Sequence, residues 1–531
     1  MPAVAPIRAI DWRFLLPVPV DRTFGHLLVL GGPRGLVARA QGAGIARSVS
    51  TESSTPGTAD LVAAYADAPQ DIHDIARAVA PSGLLYLEID RRRRGVRATT
   101  PARVASMLRS EGLAAYAFYA MEPNMHDARA FIPLAAPRAM SWHRRTSIGD
   151  GALVRIANAV RQSAVRVGGP SVAALDRPYA VVAFAGERED MAPGVLRDAT
   201  VVQFLGTSRA PSAAVMLTYG GDRVLLFPFS DRGSAPIGVV KVAKAESLVD
   251  RTENEQARMR ALRSTVDASV AGAIPEPLGA TRVGRTVVAC ERFMAGTSLA
   301  ARAMNGAIAL DEKIADLQLA VAWLARFHHA TEVRRWAIRE SRASLVDDLL
   351  ASYTEALGGA RDEPLATRLG SIADTLGDAH IAIATQHRDF AAWNVLRSGA
   401  SLAVVDWEGA TEGFAAFDAI HLASTWLYSV RLSEGVDDEV RCACELLDPS
   451  ARDAVASAAH DALLRYLEAV GIDRQLAPLL IVLHRVELAV RRAKQLRLQG
   501  EPPESAMAAI ETRIVQSLAA QVARLFPSAE S

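Results

Sequence analysis

His387-Arg388-Asp389-Phe390-Ala391-Ala392-Trp393-Asn394, with Asp406-Trp407-Glu408 shortly after it, is the stretch from which the fold of this chain can be read. Each acidic or amide residue stands beside a short apolar run. Ile381 to Ala384 precede Asp389, Val395-Leu396 follow Asn394, and Leu402 to Val405 lead into Asp406. Runs this short, punctuated by polar residues, predict strand, loop, strand, turn and strand. An Asp, an Asn five residues on and a second Asp twelve residues beyond are the residue types that phosphoryl transfer requires. One carboxylate receives or orients the proton of an attacking hydroxyl, while an amide oxygen and another carboxylate hold Mg²⁺ against nucleotide phosphates.

The pattern His-x-Asp-x-x-x-x-Asn followed by Asp-Trp-Glu resembles the catalytic loop and metal segment of the aminoglycoside phosphotransferase and choline kinase family. Gly413 and Phe417-Asp418-Ala419-Ile420-His421 resemble the Gly-x-x-x-x-Asp-hydrophobic segment that follows in that family. The resemblance implies a bilobal, α+β, protein-kinase-like fold and a kinase acting on a hydroxyl of a small molecule. It makes Asp389 the base or orienter, Asn394 and Asp406 the Mg²⁺ ligands, and ATP or GTP the phosphoryl donor. His387 is expected to brace the loop. Arg388 replaces the Gly usual in the family, as in the His-Arg-Asp of protein kinases, and is expected to act beside Asp389 by pairing with a carboxylate near the metal loop.

A kinase needs a nucleotide-binding lobe upstream. Ile237-Gly238-Val239-Val240-Lys241-Val242-Ala243 is an apolar strand interrupted by a lysine, which is costly to bury unless the ammonium has anionic partners. In the family the corresponding lysine contacts the phosphates. Lys244 competes for the role but lies beyond the apolar run and is expected to be exposed. Glu255, fourteen residues after Lys241, opens a helical pattern with Met259 and Leu262 on one face and is the expected partner of Lys241; Glu253 is the alternative. Ile274-Pro275-Glu276-Pro277 and Thr286 to Phe293 resemble the strands that lead to the interlobe hinge, where the backbone from Glu291 to Met294 is expected to meet adenine. Ala295 to Leu299 resemble the segment that closes the hinge. No Gly-x-Gly-x-x-Gly run is present. Gly206 to Ser212, between the apolar segments Val201–Leu205 and Ala213–Leu217, is the candidate phosphate loop through residues such as Ser208 and Ser212. An ordinary hairpin loop is the alternative there.

Composition sets the frame. A chain of 531 residues holds two or three domains. Half the residues are apolar, and 59 basic residues balance 59 acidic ones, which gives no electrostatic case for a nucleic acid or membrane partner. Arg91 to Arg94 reads as a solvated loop. Cys290, Cys442 and Cys444 form neither a disulfide framework nor a zinc site. With no apolar stretch of membrane-spanning length and no signal-peptide organisation, the cytoplasm is the expected location. Apolar spacing predicts helices over Ile314–His329 and, roughly, 417–431, 451–470 and 476–498. Acceptors in the family bind among such helices; Asp418, Glu412, Glu408 and Trp426 are candidates for that site.

The first 150 residues follow a different pattern. Leu27 to Leu30 enters Gly31-Gly32-Pro33-Arg34-Gly35, and Asp60–Tyr65 and Leu84–Ile89 read as further strands separated by helical segments. Such alternation predicts a parallel α/β sheet. The order resembles the Rossmann-like domain of class I S-adenosylmethionine-dependent methyltransferases. Val29 stands where that family carries an acid, and Pro33 replaces a central Gly, removing a carboxylate and a backbone N–H. These losses argue against S-adenosylmethionine binding and for a non-catalytic, methyltransferase-like scaffold. The expected organisation is this domain over 1–150, a connector over 151–195, a kinase-like N-lobe over 196–297 and a helical C-lobe over 298–531. A pseudokinase scaffold and a bifunctional methyltransferase-kinase are the competing functions. The acceptor, the choice of ATP over GTP and the oligomeric state stay open at this point.

Overall fold

Apolar runs across the first 293 residues pair into one sheet of twelve strands. In chain order they are β1 (Phe24–Leu30), β2 (Ala46–Ser50), β3 (Ala59–Ala66), β4 (Val79–Ile89), β5 (Leu113–Glu122), β6 (Ala130–Pro133), β7 (Tyr179–Ala185), β8 (Ala213–Leu217), β9 (Arg223–Phe229), β10 (Val239–Ala243), β11 (Pro277–Val283) and β12 (Thr286–Glu291). The computed structural model describes residues 10–32, 36–52, 55–66, 71–90, 99–123, 128–148, 178–185, 192–218, 223–230, 233–246, 249–357, 363–448, 453–498 and 506–525. Pro33, Gly35, Arg91–Arg94 and Gly168-Gly169-Pro170 lie outside them. The chain divides into two units, residues 1–257 with 276–293, and residues 258–275 with 294–531.

The whole sheet belongs to the first unit, in the order β11-β12-β10-β9-β8-β6-β5-β7-β4-β3-β1-β2. β2, β1, β3 and β4 are parallel and alternate with the helices Leu36–Gly42 and Asp71–Arg77, because parallel neighbours need a crossover. From β4 to β11 every pairing is antiparallel. β7 lies within the stretch expected to be a connector. Its Tyr-Ala-Val-Val-Ala-Phe-Ala run is buried along nearly its whole length, as a strand covered on both faces must be.

One apolar core runs along one face of this sheet from Val29 and Leu61 to Val240 and Cys290, covered by Trp12, Phe14, Leu15 and Leu196. Trp12 stacks on Tyr86 with ring centroids 4.7 Å apart. The opposite face is covered by Ile72, Val104, Leu108 and Trp142. Burying a side chain of this size is worth about 1.5–3 kcal/mol, so the parallel strands and the lysine-bearing strand share one cohesive interior. Trp142, from the helix Pro137–Ile148, meets Phe227, Phe229 and Phe293 at centroid distances of 4.8, 5.6 and 5.8 Å.

The second unit is helical around two small sheets. One joins β13 (Thr297–Ser298), β16 (Val395–Ser398) and β17 (Ser401–Val404); the other joins β14 (Glu332–Ala337), β15 (His380–Gln386) and β18 (Thr411–Phe414). The helices Leu310–Ala330, Ala416–Ser433, Ala454–Ala469 and Ala477–Leu498 pack around them, joined by Glu439–Leu447 and Ala506–Leu525, which the sequence pattern did not single out. Among the described residues no helix is long and apolar enough to cross a membrane.

Candidate active site

In the first unit the site is built on β10. Lys241 lies opposite Leu225 of β9 and Ala289 of β12 and is 5 % exposed. An ammonium this buried is tolerated only with close counter-charges. Its Nζ donates to Glu255 Oε1 at 2.7 Å and stands 2.7 Å from Glu291 Oε1. Arg223, the first residue of β9, donates from Nη1 to Glu255 Oε2. Two cations and two carboxylates thus form a buried cluster, linked in the order Glu291, Lys241, Glu255, Arg223. Burial works to raise the Glu255 carboxyl, but Lys241 and Arg223 together outweigh it and hold the group below the ordinary carboxylate range. For Glu291 burial prevails over the attraction of Lys241, and Glu255 adds repulsion, so its carboxyl is pushed up to about 7.

The other expectations for this unit meet varied outcomes. Glu253 is on the surface, paired with Arg282 at 3.2 Å. Lys244, expected to be exposed, is largely covered and lies 2.6 Å from the buried Asp11. Val201–Leu205 does not form a strand: Ala199–Phe204 is a helix, capped by the Asp198 carboxylate on the N–H groups of Thr200 and Val201. Gly206 to Ser212 therefore links a helix to β8. Ser208 and Ser212 are exposed and precede Ala213, whereas Leu217 at the other end of β8 shares the rung of Leu225 and Lys241. Four residues of strand, about 13 Å, separate the two ends. Glu291 turns its side chain inward onto Lys241, and Met294 follows in irregular backbone.

In the second unit the loop after β15 carries His387, Arg388 and Asp389. Arg388 and Asp406 adopt positive φ, 67° and 70°, the left-handed region that side chains with a Cβ rarely occupy. Asp418 fixes the loop from below. Its carboxylate, 1 % exposed, accepts the backbone N–H of His387 at 2.6 Å and of Arg388 at 2.9 Å. Despite full burial, which would raise it, this carboxyl is held low by His328, His387 and the backbone donor. Asp418 is thus a loop-positioning residue and not the acceptor contact considered above; Trp426 is buried too, and Glu412 pairs with Arg334 on the surface. His387 Nε2 donates to the Val405 carbonyl at 3.0 Å, tying the loop to the residue before Asp406, and its ring lies 4.6 Å from that of Trp407.

Asp389 is held at both oxygens. His421 Nε2 lies 3.1 Å from Oδ1 and Asn394 Nδ2 donates to Oδ2 at 2.8 Å, yet the side chain is still 44 % exposed. Lost solvation would raise this carboxyl; the bond and charge of His421, with His387 and Arg491 behind, outweigh it and keep the group below the ordinary range. Because Asn394 turns its Nδ2 toward Asp389, its amide oxygen is directed elsewhere. The Arg388 guanidinium is 3.1 Å from Glu487 on the helix Ala477–Leu498, a partner far in sequence from the metal segment where one was expected. His421, Arg223 and Glu487 were not singled out from the sequence. His421 had a signal: it follows Asp418 by three residues, so the two share a helix face. Arg223 and Glu487 had none, since their contacts depend on strand register and helix packing.

Residues 236–441 match the model of the phosphotransferase enzyme family, APH. Among solved structures, a glucosamine kinase (crystal form B) is 15 % identical over 62 % of this chain and 99 % of its own, with a TM-score of 0.33. Amicoumacin kinase hAmiN, in complex with AMP-PNP, Ca²⁺ and Ami, is 12 % identical over 59 % of this chain and 89 % of its own, with a TM-score of 0.37. A thermostable mutant of aminoglycoside phosphotransferase APH(4)-Ia is 13 % identical over 60 % of this chain and 98 % of its own, with a TM-score of 0.36. No curated protein matches the sequence.

Proposed function

We propose that the chain transfers the γ-phosphoryl group of ATP or GTP to a hydroxyl of a small molecule of sugar, amino-alcohol or aminoglycoside-like type. The observation that carries this reading is Asp389, an ionised carboxylate fixed at both oxygens but still open to solvent. It is placed to orient an acceptor hydroxyl and to receive its proton as the oxygen attacks. Lys241 binds nucleotide phosphates, and Glu255 with Arg223 holds Lys241 in place. His387 and Asp418 set the loop.

Asn394 and Asp406 supply oxygen donors of the kind Mg²⁺ takes. The Asn394 oxygen is turned away from Asp389, and the Asp406 carboxylate has no hydrogen-bond partner among the described residues. Among the described residues no group of three or more His, Cys, Asp or Glu is placed to hold an ion by itself; Asn394 and Asp406 would hold Mg²⁺ together with the nucleotide. When bound, Mg²⁺ neutralises charge on the phosphates.

The methyltransferase-like strands serve as a scaffold. β2 and β3 flank β1 on opposite sides, which places a ligand crevice at the carboxyl ends of β1 and β3. There Gly31 and Gly32 take φ of 72° and 91°, and a Cβ on Gly32 would stand 2.4 Å from the Tyr65 ring. The Tyr65 ring thus packs closely on Gly32, and with Val29 in place of an acid this supports reading the strands as a scaffold. The reading is tested by incubating the protein with Mg·ATP or Mg·GTP and a panel of hydroxyl acceptors, with product mass as readout. Asp389→Asn is expected to lower turnover by about 10²–10⁴-fold with the fold intact; an unchanged rate would refute the role.

A further inference from the structure

We propose that Glu291 is a second carboxylate for the phosphate-binding lysine, holding Lys241 in the nucleotide-free protein and taking up a proton when the phosphates arrive. The proposal rests on the reading of Lys241 as the residue that binds phosphate.

β12 pairs with β10 so that Ala289 lies opposite Lys241 and Glu291 lies opposite Val239. Alternation along each strand then sets Lys241, Ala289 and Glu291 on one face of the sheet. Glu291 is 3 % exposed, and its Oε1 is as close to Lys241 Nζ as Glu255 Oε1 is, 2.7 Å in each case. The charged groups around it are Lys241 on β10, Arg223 on β9 and Glu255 on the helix Val249–Thr265; the amide of Gln256 on that helix is 3.4 Å away.

The two carboxylates are not equivalent. Glu255 has a cation on each oxygen, Lys241 on Oε1 and Arg223 on Oε2. Glu291 has only a share in Lys241. Burial, with the repulsion of Glu255, leaves the Glu291 carboxyl at about 7, so near neutral pH it is the group in the cluster that gains a proton most readily. A phosphate at Lys241 brings more negative charge to a site shielded from water, where like charges repel strongly. Protonation of Glu291 relieves that repulsion: the carboxylate becomes a neutral carboxylic acid with a proton from solvent, and the lysine charge is left for Glu255 and the phosphate. Glu255 cannot take this part, because two cations hold it ionised.

Isothermal titration of the full chain with Mg·AMP-PNP and Mg·GMP-PNP at pH 7.5, repeated in buffers of small and large ionisation enthalpy, counts the protons exchanged and needs no acceptor. The expected result is net uptake of up to about one proton per nucleotide, with wild-type affinity falling by up to about tenfold per pH unit above 7. Glu291→Gln, which keeps the shape and removes the charge, is expected to abolish the uptake and flatten the pH dependence. Binding without proton uptake in the wild type, or the same uptake in Glu291→Gln, would overturn the proposal. If neither analogue binds at millimolar concentration, the kinase reading itself fails, and this inference falls with it.

Discussion

Toward one edge of the twelve-stranded sheet, β1 and β3 run parallel into a turn of two glycines packed under a tyrosine ring. Toward the other edge, β10 carries a lysine into a cluster of four buried charges. Both strands are apolar and both lie on the same continuous core, so packing alone does not require the difference. Burying two ion pairs is at best neutral for stability compared with apolar residues of similar size. Charges kept buried in such a place are what the proposed phosphate site would need, whereas the described residues of the glycine turn, Gly31 and Gly32, bring no side chain.

That contrast can be broken most forcefully at Glu255. Glu255→Ala leaves Lys241 and Arg223 buried without their shared partner and is expected to lower the unfolding free energy by about 3–5 kcal/mol, measured by denaturant titration. A loss below about 1 kcal/mol would mean that the cluster is not an obligatory set of charges. At the other edge, Gly32→Ala forces a Cβ into the Tyr65 ring at a positive φ and is expected to cost about 1–3 kcal/mol. Nucleotide stabilisation should survive it if the turn is a scaffold, as proposed; loss of that stabilisation would give the parallel strands a direct part in the site. The smallest effect is expected in the second unit, where a residue with a side chain takes the conformation that glycine takes after β1. Arg388→Gly removes a left-handed penalty of about 1–2 kcal/mol and also a half-exposed ion pair worth about 0.2–1 kcal/mol. Net stability should change by less than about 2 kcal/mol and turnover should fall by about tenfold or less. A larger loss of turnover would make Arg388 part of the reaction and not only of the loop.

How much of this is visible in the sequence depends on how local the determining contacts are. The strand–loop–strand passage from Ile381 to Asp406 is legible because each apolar run is short and the polar residues punctuate it. Lys241 and Glu255 are legible because an ion inside an apolar strand demands a partner, and the next amphipathic segment supplies one. β7 is not, because an uninterrupted apolar heptapeptide says nothing of which strands will flank it. The inward turn of Glu291 also escapes, since it follows from the pairing of β12 with β10 across some fifty residues of chain. Asp418 was visible as an acid in a recurring segment, but only its contacts with the His387 and Arg388 backbone show that it sets the loop and does not face an acceptor. The hairpin alternative for Gly206 to Ser212 fails for a local reason: the Asp198 cap starts a helix over Ala199–Phe204, as an N-terminal carboxylate favours.

The proposed role of Asn394 and Asp406 is to hold a metal on the bound nucleotide. It is tested most directly by thermal unfolding with and without Mg·ATP and Mg·GTP, for the wild type and for Asp406→Asn. Ligand at a hundred times its dissociation constant stabilises a folded protein by about 2.7 kcal/mol, enough to read as a clear shift. The account predicts a Mg²⁺-dependent shift in the wild type with at least one nucleotide, and a much smaller one in Asp406→Asn. No shift at millimolar nucleotide, or an equal shift in the variant and without Mg²⁺, would contradict it.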